Sequence, residues 1–397
     1  MKLSILPSLL LVMFLGCASG QSEVNRSGAL PADPFTEEVK FELYRNLIVV
    51  PVEIEGETYR FIWDTGAASA ISTRLQEKMR YRTIKRTTIS DSQNNRAKTR
   101  FVRVSELKLG DVSFSKQAAI ILDFEKHPVL ACMNLDGIIG RNTHRLCNWI
   151  LDYQAGMMTI TNEPVEKPEG GFEASFSYDD DYDIKLNLGL ASASVTKIKF
   201  DTGFTGGVSL PGKLFRKWTD LVEPDSLYVE RGYQQSGLMA VPERVDSYTA
   251  FADSLTLGSF VALDVEVNNG ASGLVGNEVW SQFVLTLDWQ DKKLYGLPAQ
   301  GYSVNRKVWG FAVSWDAKTD QAYILRVLEG SQADLMGLEP LMVVEQIGSV
   351  NFMEGATYCD YLAAQQMKSR ASESLEVTVR GAQDQRLSFS IDKTEIK

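Results

Sequence analysis

Phe61-Ile62-Trp63-Asp64-Thr65-Gly66-Ala67-Ala68-Ser69 is answered further along the same chain by Lys197-Ile198-Lys199-Phe200-Asp201-Thr202-Gly203-Phe204-Thr205-Gly206. Each is an apolar or amphipathic run that ends in Asp-Thr-Gly. A strand that delivers a carboxylate into a tight glycine turn gives up chain entropy at the turn and solvation at the acid. One such turn is ordinary punctuation between strands. Two, each heading the same series of landmarks, point to a duplicated unit.

The register of the duplication can be counted. Asp64 precedes Asp136-Gly137-Ile138-Ile139-Gly140 and Asp201 precedes Ser272-Gly273-Leu274-Val275-Gly276, so the offsets to the last glycine are 140 − 64 = 76 and 276 − 201 = 75. Trp149-Ile150-Leu151-Asp152-Tyr153 likewise matches Leu285-Thr286-Leu287-Asp288-Trp289, at 152 − 64 = 88 and 288 − 201 = 87. Between them Leu107-Lys108-Leu109-Gly110 answers Leu255-Thr256-Leu257-Gly258 at 46 and 57, counting from Asp64 to Gly110 and from Asp201 to Gly258, so the two copies carry their insertions in different loops. Self-similarity over so long a period means two copies of one domain.

By these residues the chain resembles the aspartic proteases of the pepsin and retropepsin clan, over roughly residues 40–298. The resemblance implies a mainly β fold, with two retropepsin-like β-barrel lobes at residues 41–163 and 172–298 whose Asp-Thr-Gly loops meet at a pseudo-two-fold axis. It assigns Asp64 and Asp201 as the catalytic pair. Thr65 and Thr202 match the threonines that bond across to the opposite loop, and Gly66 and Gly203 match the glycines that allow the close approach. The segments ending in Gly140 and Gly276 match the strand that threads each catalytic loop. Ala67 resembles retropepsins, and Phe204, followed by Val208-Ser209-Leu210-Pro211, resembles the Asp-Thr-Gly-Phe run of bacterial retropepsin-like proteins. A peptide or protein substrate and no cofactor follow from that resemblance. The alternative reading is a catalytically inactive peptide-binding lipoprotein, with Phe204 marking a lobe that keeps its fold without its chemistry.

The chemistry also follows from charge alone. Two carboxylates within hydrogen-bonding distance cannot both ionise cheaply, so they share a proton and titrate as a pair; aspartic proteases are a standard example. The ionised member can act as general base on a water while its protonated neighbour polarises a carbonyl and later supplies the leaving amine.

Met1-Lys2 followed by the mostly apolar residues 3–15 and Phe14-Leu15-Gly16-Cys17 resembles a bacterial lipoprotein signal over residues 1–17. The apolar run is short for a membrane span. On that reading Cys17 carries the lipid, residues 18–40 are its tether, and the protein sits in the bacterial cell envelope facing the periplasm or the exterior. A plain secretory signal is the other reading.

The net charge of −10 argues against a nucleic-acid partner. His127 and His144 are the chain's two histidines, too few for a zinc hydrolase or a Ser-His machine. Cys132, Cys147 and Cys359 lack metal-ligand spacing. Cys132 and Cys147 either pair with each other or stay as buried thiols. Asp179-Asp180-Asp181-Tyr182-Asp183 lacks the glycine and glutamate of a calcium loop, since Ile184 and Leu190 stand there, and reads as a solvated turn. No metal site is expected.

Strands are predicted over residues 47–55 and 58–63 around Gly56. Ser90-Asp91-Ser92-Gln93-Asn94-Asn95 reads as the tip of a hairpin over the cleft, without the tyrosine of pepsin-like flaps. Gly232-Tyr233-Gln234-Gln235-Ser236-Gly237 is its counterpart. After Pro298 the repeat ends, and residues 305–395 resemble a PDZ domain of α/β type. Trp309-Gly310-Phe311, Gly330-Ser331-Gln332-Ala333 and Ile347-Gly348-Ser349-Val350 carry that resemblance, although Pro340-Leu341-Met342 stands where Gly-Asp is usual. It implies that Trp309, Gly310 and Phe311 receive a peptide's terminal carboxylate, the peptide adding as a strand. Residues 358–367 would form the groove helix, with Leu362 turned toward the peptide.

Overall fold

The computed structural model describes residue 24 and residues 26–90, 96–222, 227–234, 243–244, 246–299, 307–316, 318–368, 373–381 and 383–396. Over them the chain is mainly β. The signal segment with Cys17, the hairpin tip at residues 91–95 and residues 235–237 lie outside the described residues. No helix among the described residues is long and apolar enough to cross a membrane.

The two copies meet in a six-stranded sheet. Its order is Thr36–Lys40, Met157–Thr161, Asn148–Asp152, Phe283–Asp288, Lys293–Pro298 and Phe172–Ser175. At its centre Trp149 pairs with Leu287, Ile150 with Thr286 and Leu151 with Leu285, antiparallel. Asp152 corresponds to Asp288 in the repeat, so Ile150 corresponds to Thr286. A residue paired with its own counterpart marks a local two-fold axis. Trp149, Leu151, Leu285 and Leu287 are fully buried here, so apolar burial fixes the register of the join.

Each copy builds the same local arrangement around its Asp-Thr-Gly. In the first, Glu57–Trp63 pairs parallel with Gly137–Ile139, which pairs antiparallel with Ala70–Ser72. In the second, Ala193–Phe200 pairs parallel with Leu274–Val275, which pairs antiparallel with Val208–Pro211. The short apolar strand is thus clamped between the run into the aspartate and the run out of it. Its residues from Ile138 to Ile139 and from Leu274 to Val275 are buried, because both faces are covered.

Part of the expected tether is structured. Thr36–Lys40 forms the edge of the six-stranded sheet against Met157–Thr161, and Ala29 bridges to Ser115. Val39 lies in the core at 4% exposure, which is what draws the segment in.

Residues 307–396 have their own core, in which Val313, Ile324, Val344, Leu362, Val377 and Ile391 are packed together. The helix Tyr358–Lys368 lies against it. Leu362 belongs to this core and is 1% exposed, so it does not face a groove. This unit is joined to the repeats in two ways. Glu230, Arg231 and Gly232 of the strand Leu227–Gln234 pair antiparallel with Leu328, Val327 and Arg326 of the strand Gln321–Leu328. Gly232 has φ 138°, and a β-carbon there would strike the backbone at Leu325 and Arg326, so the close approach requires glycine. The second join is a disulfide between Cys132 and Cys359. Cys147 is a free buried thiol, as one of the two readings had it, whereas Cys132 is neither paired with Cys147 nor free.

Candidate active site

Asp64 and Asp201 sit on facing loops that are locked to each other through their threonines. The Thr65 amide donates to Thr202 Oγ1 at 3.0 Å, and the Thr202 amide donates to Thr65 Oγ1 at 3.0 Å. Each hydroxyl then donates onward across the axis, Thr65 Oγ1 to the Phe200 carbonyl at 3.0 Å and Thr202 Oγ1 to the Trp63 carbonyl at 3.1 Å. Two hydroxyls therefore satisfy four buried backbone groups, and the carbonyls they hold belong to the residues just before the aspartates.

The glycines set the separation of the two loops. A β-carbon on Gly66 would fall on the Asp201 carboxylate, and one on Gly203 would fall on the Asp64 carboxylate. Each Gly amide instead donates to the carboxylate of its own loop, Gly66 to Asp64 Oδ1 at 2.7 Å and Gly203 to Asp201 Oδ1 at 2.9 Å. Behind the loops the amide of Asp64 donates to the Ile139 carbonyl and that of Asp201 to the Val275 carbonyl, both at 3.0 Å. The Arg141 amide donates to the Ala67 carbonyl at 2.9 Å and the Asn277 amide to the Phe204 carbonyl at 2.8 Å. Phe204 therefore keeps the backbone path that Ala67 follows in the first copy.

Burial, and then the facing Asp201, push the Asp64 carboxyl up to about 7, against the smaller opposing pull of Lys199, the Gly66 amide and Arg141. A group poised near neutrality between two protonation states can give or take a proton without leaving its place.

Sequence reasoning missed a charged cluster beside the pair. Lys199 Nζ donates to the Gly66 carbonyl at 2.6 Å and stands 3.1 Å from Asp183 Oδ1 and 3.7 Å from Asp201 Oδ2. Asp183 also pairs with Arg141, and Lys185 lies 3.6 Å from Asp183 Oδ2 and 3.2 Å from Asp179. The three cations hold the Asp183 carboxyl below its usual range despite burial. Asp183 thus belongs to the site, whereas Asp179 in the same acidic run is more exposed, as a turn residue should be. The one available signal was Lys199 itself, a cation between the apolar Ile198 and Phe200 and two residues before an aspartate.

The histidines take structural places. His144 is fully buried, its ring 4.3 Å from that of Trp63, and burial lowers its pKa to about 3. His127 accepts from the Val129 and Leu130 amides and caps the short helix Pro128–Ala131. Among the described residues no group of three or more His, Cys, Asp or Glu could hold a metal ion.

In the C-terminal unit, Gly310 has φ 73° and its carbonyl receives the Leu328 amide at 2.8 Å. The Lys393 ammonium lies 5.0 Å from the centre of the Trp309 ring. Phe311 opens the strand Phe311–Asp316, which pairs along one edge with Gln321–Leu328.

A protein-family model described as aspartyl protease matches residues 50–143. That stretch contains Asp64, Thr65, Gly66 and the clamped strand Gly137–Ile139, and it supports an aspartyl-protease function at the level of the family. No curated protein matches the chain.

Proposed function

We propose that this protein is an aspartic endopeptidase, in which residues 41–163 and 172–298 are two lobes and Asp64 and Asp201 share one proton and activate one water. The observation that carries the reading is the reciprocal exchange between Thr65 and Thr202, which sets two carboxylates face to face on rigid loops. Such a pair has one chemistry for which the arrangement is suited: a water loses a proton to the ionised carboxylate as its oxygen attacks a peptide carbonyl, and the protonated carboxyl hands its proton to the leaving amine. The backbone of Phe204 follows the path of Ala67, which favours an active second lobe over one that has lost its chemistry.

Residues 305–395 are read as a PDZ module that takes a peptide end at Trp309, Gly310 and Phe311. The strand Phe311–Asp316 supports this, because among the described residues its second edge has no strand partner. Cys17 is read as the lipid attachment point, on the sequence of residues 14–17. The test is incubation of purified residues 21–397 with a peptide library, with and without an aspartic-protease inhibitor. Inhibitor-sensitive cleavage of internal peptide bonds supports the reading; an intact library, in a protein shown to be folded, overturns it.

A further inference from the structure

We propose that Lys199, held by Asp183, is a positioning residue that breaks the symmetry of the pair, keeping its negative charge on Asp201 and its proton on Asp64. The proposal rests on the reading of the two aspartates as a working pair.

The two loops are alike in every backbone bond described above, so nothing in the threonine exchange distinguishes one carboxylate from the other. Lys199 does. It lies two residues before Asp201 and reaches across to the first loop, where it donates to the Gly66 carbonyl at 2.6 Å while standing 3.7 Å from Asp201 Oδ2. The corresponding residue before Asp64 is Ile62, which is buried and carries no charge. Asp201 therefore stands within ion-pair distance of Lys199, whereas Asp64 forms no ion pair among the described residues and feels Lys199 and Arg141 only as a weaker pull set against its burial. A cation at that distance favours the ionised form of the carboxylate nearest to it.

Asp183 keeps the lysine there. Its carboxylate is 3.1 Å from Lys199 Nζ, bonded to Arg141 and 3.6 Å from Lys185, and the Lys199 and Arg141 side chains are 16% and 6% exposed. The charged groups facing the pair are thus Lys199 from the strand into Asp201 and Arg141 from the turn after Gly140. Behind them stand Asp183, Lys185 and Asp179. The arrangement divides the labour of the reaction: Asp201 takes the proton of the attacking water, Asp64 gives its proton to the leaving amine, and the proton then passes from Asp201 to Asp64, which restores the starting state with one proton received and one released per turnover.

Charge substitutions test this through their opposite signs. Lys199→Met removes a cation beside the pair, so the whole pH–rate profile should move up by about one unit. Asp183→Asn removes an anion and leaves Lys199 and Arg141 less neutralised, so the profile should move down. Lys199→Arg should return it toward the wild-type position. A parallel measurement needs no turnover: in the full chain carrying carboxyl-labelled aspartate, with resonances assigned from Asp64→Asn, the Asp64 carboxyl should titrate near neutrality. Its midpoint should rise in Lys199→Met and fall in Asp183→Asn. Shifts of the same sign in both variants, an unmoved midpoint, or an Asp64 carboxyl already ionised in mild acid would each overturn the proposal. If the wild type cleaves nothing, the protease reading fails by itself and the carboxyl titration still decides this one.

Discussion

Cys132, at the end of a short helix in the first copy, is bonded to Cys359 in the helix of the C-terminal unit, 227 residues away. The same unit extends the sheet of the second copy through Glu230, Arg231 and Gly232. It is therefore held to both copies, once covalently and once by backbone hydrogen bonds, and it behaves as part of one body.

Reduction should loosen that body. Closing so long a loop removes chain entropy from the unfolded state, by up to about 5 kcal/mol on the chain-entropy account. Cys132→Ser with Cys359→Ser should lower the melting temperature of residues 21–397 with little change in secondary structure, and a reductant should do the same to the wild type. Thiol counting under denaturing, non-reducing conditions should find one free thiol, that of Cys147; a count of three would refute the pairing.

Removal of residues 307–397 should expose the strand Leu227–Gln234 along the edge it now shares with Gln321–Leu328. An unpaired edge of that kind templates association. The truncated chain is expected to self-associate, measured by light scattering, and to lose hydrogen-exchange protection first at Glu230, Arg231 and Gly232. A monomeric truncation with unchanged protection there would show that the sheet does not need the unit.

Thr202→Val keeps the side-chain shape but leaves the Thr65 amide and the Trp63 carbonyl without their partner. Two buried backbone groups orphaned at once should cost about 2–4 kcal/mol, read from denaturant unfolding. Thr65→Val should cost a similar amount, because the bonds are reciprocal. A large effect in one and none in the other would contradict the two-fold arrangement.

The pair should also tax stability as pH rises. Asp64 titrates at about 7 in the folded protein against an ordinary value of 3.8. Between those values the folded state binds the extra proton, so this contribution is full below about pH 4 and is lost as pH climbs through about 7. Asp64→Asn does not titrate there. Its melting temperature should gain on the wild type between about pH 4 and about pH 7, and a constant difference would refute the assignment.

What could be read from the residues is what the two-fold demands twice. Asp-Thr-Gly, the clamped apolar strand, and the Trp149 and Leu285 runs each appear in register because both copies must present the same surface to the axis. Single-copy features left no such trace. Asp183 looks like its exposed neighbours until Arg141 and Lys199 arrive from distant segments, and the partner of Cys132 lies beyond any local spacing. The strand Thr36–Lys40 was hidden in a polar stretch because it is an edge strand with Val39 as its one buried side chain.

The most direct measurement is single-turnover hydrolysis of one cleaved peptide by Asp64→Asn, Asp201→Asn and the double variant, each shown to be folded. Residues that act as one device are not additive. Each single variant should be as inactive as the double; appreciable hydrolysis by either single variant would contradict a shared proton and a single activated water.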